Sequence, residues 1–249
     1  MKKIISLLTL FSVLLLTACE EKNTVTVLTS SGYEPYEMID EDGNLTGFDI
    51  ELMEALAMEA GIQIKWKDVA FEGIIASLQS GQASIAIAGI SPTPERLEMV
   101  DFSNVYYNSA LGLTNVIISD QSSTITSLED LQGKIVSAQL GTVQATYLES
   151  IKDTYNITVD LRDNNTQIVE EIKAGRIDAL IVEGLISESI LEENNTLTSV
   201  GFESELDDAA GNAIAFSKGS PYVEVFNEAL DTLIENGTVQ ALIDKWFNS

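Results

Sequence analysis

The chain has 249 residues, 39 acidic against 13 basic side chains for a formal charge of −26, no histidine, and one cysteine, Cys19. Such a chain cannot assemble a Ser-His-Asp triad, a Cys-His pair or a His/Cys zinc site, and its charge is wrong for neutralising nucleic-acid phosphates. With no possible intrachain disulfide, its fold must rest on packing.

At the N-terminus, Lys2 and Lys3 precede an apolar run over residues 4–16 and the small residues Thr17 and Ala18. This is the pattern of a secretion signal, and the run is shorter than the ~20 residues of a bilayer-spanning helix. Residues 1–18 are therefore expected to be a signal peptide and 19–24 a short polar tether. Leu16-Thr17-Ala18-Cys19 resembles the lipobox of bacterial lipoproteins. That resemblance implies cleavage before Cys19, a diacylglyceryl thioether on its sulfur with fatty acids such as palmitate, and an exported protein anchored by lipid to the outer face of the cell membrane. The alternative is an ordinary cleaved signal beside an incidental cysteine. Loss of Lys2 and Lys3 takes the charge to −28. About 230 residues then remain, enough for one large domain or two smaller ones.

Residues 25–28 read as a buried strand ending at Thr29-Ser30-Ser31-Gly32. Gly47-Phe48-Asp49-Ile50 opens a helix with Phe48, Leu52, Leu56 and Ala60 at helical spacing, Glu51 and Glu54 facing out, and Gly61 as its stop. A strand over 62–66, a helix carrying Ile74, Ile75 and Leu78 and ended by Gly81, and a fully buried strand over 83–88 complete an α/β unit with a mainly parallel sheet. The pattern recurs: residues 78–87 and 172–181 both give a helix end, a glycine and a buried strand, and the strand at 25–30 has a counterpart at 134–139. Two lobes of like construction are expected. Ser220-Pro221 starts a helix over 223–234 that Asn236-Gly237 stops, and a last helix over 239–247 presents Trp246 and Phe247 as packing aromatics.

Ligands in open α/β sheets bind beyond the carboxyl ends of the strands. That rule selects the loops 30–36, 89–96, 139–144 and 183–184. They hold Tyr33, Tyr36, Arg96, the hydroxyls of Ser91 and Thr142, and the Glu183 carboxylate, a set suited to a small zwitterion.

Several motifs, in order, resemble the extracellular solute-binding proteins of family 3, amino-acid receptors of bacterial ABC transporters with the periplasmic-binding-protein type II fold. They are Gly32-Tyr33-Glu34-Pro35-Tyr36-Glu37, Gly47-Phe48-Asp49-Ile50-Glu51-Leu52, Gly89-Ile90-Ser91-Pro92-Thr93-Pro94-Glu95-Arg96, Leu128-Glu129-Asp130-Leu131-Gln132-Gly133-Lys134 and Gln139-Leu140-Gly141-Thr142. The resemblance implies two lobes joined by two crossing segments: lobe 1 from 25–108 and 211–249, lobe 2 from 112–206, with hinges at 109–111 and 207–210. It places Arg96 on the ligand α-carboxylate, where a guanidinium can fork onto two oxygens. Gly89 and Ser91 complete the cage, and Thr142 and Val143 offer main-chain amides, Val143 replacing a threonine of some relatives. Glu183 stands where the family commonly has an aspartate on the α-ammonium. Tyr33 and Phe71 match the aromatic walls. Ser30 and Gln139 flank the ligand side chain, and neither supplies a charge there.

Plainer roles stand beside these: Arg96 paired with Glu98 or Asp101, Glu183 in solvent, Phe71 as core. The resemblance implies a polar L-amino acid, cationic arginine or lysine first and other polar amino acids second; the acidic partner of a cationic side chain is Glu34 or Glu37, with cation–π attraction from the aromatic walls. It further implies a monomeric receptor, without cofactor or metal and not an enzyme, that serves an ABC permease. The sequence has no Walker motif, so the ATPase is a separate chain. A cyclohexadienyl-type dehydratase on the same fold, with Glu183 or Glu34 as general acid, and a ligand sensor or adhesin are the rival readings.

Overall fold

The structure, a computed structural model, describes residues 24–108, 115–202 and 211–247. The signal segment, Cys19, most of the tether and both expected hinges, 109–111 and 207–210, lie outside the described residues.

Lobe 1 begins with β1 (Val25–Thr29), a short hairpin of β2 (Met38–Ile39) and β3 (Leu45–Thr46), and α1 (Phe48–Glu59). The turn into α1 depends on Gly47: at φ +125°, a Cβ there would lie 2.3 Å from the Tyr36 carbonyl oxygen. The helix buries Phe48, Leu52, Met53 and Leu56, and also Asp49 in its first turn. Its end explains a difference from the expected strand at 62–66. The Ile62 N–H donates back to the Ala57 carbonyl, so Ile62 belongs to the helix stop and β4 runs two residues later (Ile64–Asp68). Then follow α2 (Gly73–Gln79), β5 (Ile85–Ala86), α3 (Pro94–Met99) and β6 (Asp101–Tyr107). Strand pairing at β5 is shorter than the expected 83–88, although most of that stretch is buried.

Lobe 2 contains β7 (Asn115–Asp120), β8 (Ile135–Ser137), α4 (Val143–Ile151), β9 (Thr158–Val159), α5 (Asn165–Lys173), β10 (Ala179–Glu183), α6 (Gly184–Glu193) and β11 (Leu197–Phe202). The chain returns to lobe 1 with β12 (Asn212–Phe216), α7 (Tyr222–Glu235) and α8 (Thr238–Phe247).

The two sheets have orders β4-β1-β5-β12-β6 and β9-β8-β10-β7-β11, the same pattern built twice. In each, the strand-helix-strand run gives parallel pairs: β1 with β4 and β5, and β8 with β9 and β10. The other half pairs antiparallel: β12 runs against β5 and β7 against β10, and the outer strands β6 and β11 pair antiparallel with β12 and β7, so they run in the direction of the parallel set. The sheets are thus mixed, with their parallel halves where the sequence places them. Phe247 stacks on Tyr107 with ring centroids 4.4 Å apart, and the Trp246 indole donates to Glu51 of α1 at 3.3 Å. The C-terminal aromatics therefore pack lobe 1, as expected, and Glu51 accepts from Trp246 and Lys245 rather than facing solvent alone.

Candidate ligand-binding site

The parallel halves of both sheets end at a cavity between the lobes. Ser30, Tyr33, Phe71, Gly89, Ser91 and Arg96 line it from lobe 1, and Gln139, Thr142, Val143 and Glu183 from lobe 2. All ten ligand-binding positions nominated from the sequence meet there. Glu37, Ala88, Asn115 and Gln144 line it as well.

Arg96 is placed by the start of α3. Thr93 caps this helix by accepting the Arg96 amide at 3.3 Å, and Pro94 follows at the first helical position. The guanidinium donates to the Ser91 carbonyl at 2.9 Å and, across the cleft, to the Gly141 carbonyl at 3.0 Å. It lies over the Phe71 ring, 5.4 Å from the centroid. Among the described residues neither Glu98 nor Asp101 pairs with it, and Asp101 holds Lys218 instead. Burial pushes the Arg96 pKa below its ordinary value. A desolvated cation contacting only carbonyls and a ring is a site for an anion.

Glu183 ends β10 and reaches into the opposite lobe. Its Oε2 accepts the Tyr33 hydroxyl at 3.0 Å and its Oε1 the Tyr36 hydroxyl at 3.4 Å. The residue is 6% exposed, so it does not point into solvent. Burial raises its pKa to about 7, against the lowering effect of the two phenols.

Several contacts differ from those expected. The Thr142 hydroxyl is committed to capping α4: it accepts the Ala145 amide at 3.2 Å and donates to the Gln139 carbonyl at 2.7 Å. What this loop presents is the N-terminal turn of α4, where the Val143 amide has no acceptor within its own helix. The Gly89 amide donates to Asp49 Oδ2 at 2.7 Å. Gly89 serves through its shape instead: at φ +57°, a Cβ there would approach the Tyr33 ring to 3.1 Å. Gln139 donates through Nε2 to the Asp163 carbonyl at 3.2 Å. Tyr36 does not line the cavity; it is fully buried and stacks on Tyr33, centroids 5.6 Å apart.

Glu34 and Glu37 part company. Glu34 lies in a separate groove with Glu193, Asn165 and Trp246. Glu37, tied to Tyr33 by backbone bridging, turns inward and is completely buried at the cavity. Asn115 and Gln144 were not anticipated. Gln144 Nε2 donates to Asn115 Oδ1 at 2.9 Å, joining α4 to β7 at the cavity wall.

Two mixed α/β lobes of the same topology, with charged groups from both converging on a closed cavity, define a two-lobe solute-binding protein. Residues 25–249 match the family model for bacterial extracellular solute-binding proteins, family 3, and the chain belongs to that family. It is 37% identical to the arginine-binding extracellular protein ArtP of Bacillus subtilis strain 168, over 93% of this chain and 92% of ArtP. A probable histidine-binding protein of Campylobacter jejuni is 32% identical over 99% of both chains. A solved ancestral arginine-binding protein bound to arginine superposes with a TM-score of 0.82 at 33% identity, covering 90% of this chain and 98% of that one.

Proposed function

We propose that the cavity holds an L-amino acid with a cationic side chain, arginine first and lysine second, and that the protein delivers it to an ABC permease driven by a separate ATPase. The observation that carries this reading is the charge arrangement: the half-buried Arg96 guanidinium contacts no carboxylate among the described residues, while the buried carboxyls of Glu183 and Glu37 line the same cavity. Arg96 takes the α-carboxylate, Glu183 the α-ammonium, and Glu37 the side-chain cation. Tyr33 and Phe71 wall the chain between them, Ser30, Ser91 and Gln139 flank it, and the α4 N-terminus with Val143 adds an amide donor. Arginine in the name of a 37% identical relative supports the choice.

Ligand contacts from both lobes favour the closed arrangement, a population shift in which the ligand is the bridge. Micromolar binding corresponds to ~8 kcal/mol, a reasonable yield from two charge-assisted anchors and a desolvated side chain. In this reading lobe 1 comprises 25–108 and 211–249, lobe 2 comprises 112–206, and the hinges at 109–111 and 207–210 carry the motion. The receptor is a monomer held outside the cell membrane by lipid on Cys19.

The test is thermal unfolding of the chain from Glu20 with each standard L-amino acid. Ligand at a hundredfold its Kd adds ~2.7 kcal/mol, a rise of roughly 5–10 °C for a chain of this size. A rise with arginine or lysine is expected. A larger response to glutamate or leucine would overturn the ligand choice.

A second reading rests on Glu183, whose pKa near 7 is also what a general acid needs. The dehydratase reading predicts turnover of prephenate or arogenate; binding without turnover is expected here.

A further inference from the structure

We propose that Asp49, which does not line the cavity, is the positioning residue for Glu37, and that their two carboxyls share one proton that a cationic ligand side chain displaces and a neutral one leaves in place. This rests on the amino-acid-binding reading and adds a basis for selecting the side chain.

Glu37 and Asp49 are both 0% exposed. The Asp49 amide donates to the carbonyl of Tyr36 at 2.9 Å, which sets Asp49 beside Glu37, and burial together with the Asp49 carboxyl pushes the Glu37 pKa up. Asp49, in the first turn of α1, has its Oδ2 filled by the Gly89 amide at 2.7 Å and the Tyr106 hydroxyl at 2.8 Å. Its Oδ1 and both Glu37 oxygens receive no donor from any amide, hydroxyl or cation among the described residues. Two neighbouring carboxylates buried away from water resist being ionised together. One proton between them satisfies two of the three otherwise orphaned oxygens, with the Glu37 O–H donating to Asp49 Oδ1. The donors on Oδ2 favour the charge on Asp49 and leave the proton with Glu37, the member that faces the cavity.

The surroundings supply nothing that would ionise the pair. Glu34 from its own loop, Asp68 from β4 and Glu183 across the cleft are acidic, and Tyr33, Tyr36 and Tyr106 are phenols raised by burial and by these carboxyls. Arg96 is engaged over Phe71. The missing charge must come with the ligand. When a guanidinium or ammonium enters, the Glu37 O–H bond breaks, the proton leaves to solvent, and the new carboxylate pairs with the incoming cation. One positive charge enters and one leaves, so the buried charge is unchanged. A neutral side chain meets a protonated Glu37 and displaces nothing.

The experiment is calorimetric titration of the chain from Glu20 at pH 7 with L-arginine and with its neutral isostere L-citrulline, in buffers of different ionisation heat. Any proton released by Glu183 on meeting an α-ammonium is common to both ligands and cancels. Arginine is expected to release about one proton more than citrulline, and Asp49→Asn to abolish that excess, because its amide can donate to a Glu37 carboxylate that no longer holds a proton. A purely structural Asp49 would weaken both ligands and leave the excess intact, which overturns the proposal. If Asp49→Asn does not fold, the comparison on the unaltered chain still decides: equal proton release by the two ligands overturns the inference alone, whereas failure of both to bind overturns the amino-acid reading beneath it.

Discussion

The Tyr33 hydroxyl donates to Glu183 Oε2 at 3.0 Å, joining the first loop of lobe 1 to the last residue of β10 in lobe 2. In the proposed reading this bond makes Tyr33 both an aromatic wall and part of the ammonium site. Tyr33→Phe keeps the wall and removes one donor to a charged acceptor, worth ~1.5–3 kcal/mol. Arginine affinity is expected to fall by roughly 10- to 100-fold. Equal affinities for the two proteins in calorimetry would show that the bond plays no part in binding.

Arg96→Ala removes the proposed anchor for the α-carboxylate. Truncating one partner of a buried charge pair costs about 2–5 kcal/mol, so the thermal response to every amino acid should vanish at concentrations that saturate the native protein. The ligand-free unfolding midpoint should change little, since in that state the half-buried guanidinium contacts carbonyls and a ring and, among the described residues, no carboxylate. A large loss of ligand-free stability would mark Arg96 as a structural residue instead.

Gly141 of lobe 2 lies against Glu72 of lobe 1. At φ +83°, a Cβ there would stand 2.8 Å from the Glu72 Cα. Gly141→Ala should therefore oppose closure directly, weakening arginine binding at least tenfold and leaving the protein more extended in small-angle scattering with ligand present. Unaltered compaction on adding arginine would contradict this role.

Glu183 sets a pH dependence whose sign is fixed by the direction of its shift. Burial raises its pKa from an ordinary 4.5 to about 7, so the folded, ligand-free protein holds this proton more tightly than the unfolded chain. The stabilisation is full below about 4.5 and is lost as pH rises through about 7, on the order of 3 kcal/mol in all. The ligand-free midpoint should fall across that window, and Glu183→Gln should flatten the fall. An identical pH profile in the variant would show that Glu183 is not the group responsible.

Much of this was legible in the sequence because it follows from local chemistry. Gly47 and Gly61 bracket α1, Thr93-Pro94 starts α3 and aims Arg96, and the echo of residues 78–87 in 172–181 announces the second sheet. The antiparallel halves were not legible, because they form between strands far apart in the chain and depend on where it crosses between lobes. The same limit applied within the site. Nothing local to Thr142 separates a ligand hydroxyl from a helix cap, and nothing around residue 37 tells which of Glu34 and Glu37 turns inward. The inward placement of Glu37 and its partnership with Asp49 arise when α1 packs beside the 32–38 loop, a tertiary event.

The most direct measurement is calorimetric titration of L-arginine into the chain from Glu20 and into its Arg96→Ala variant. Saturable binding of one arginine per chain, lost in the variant, is the result predicted. Absence of binding to the unaltered chain, or equal binding to both, would contradict a cationic amino-acid receptor anchored at Arg96.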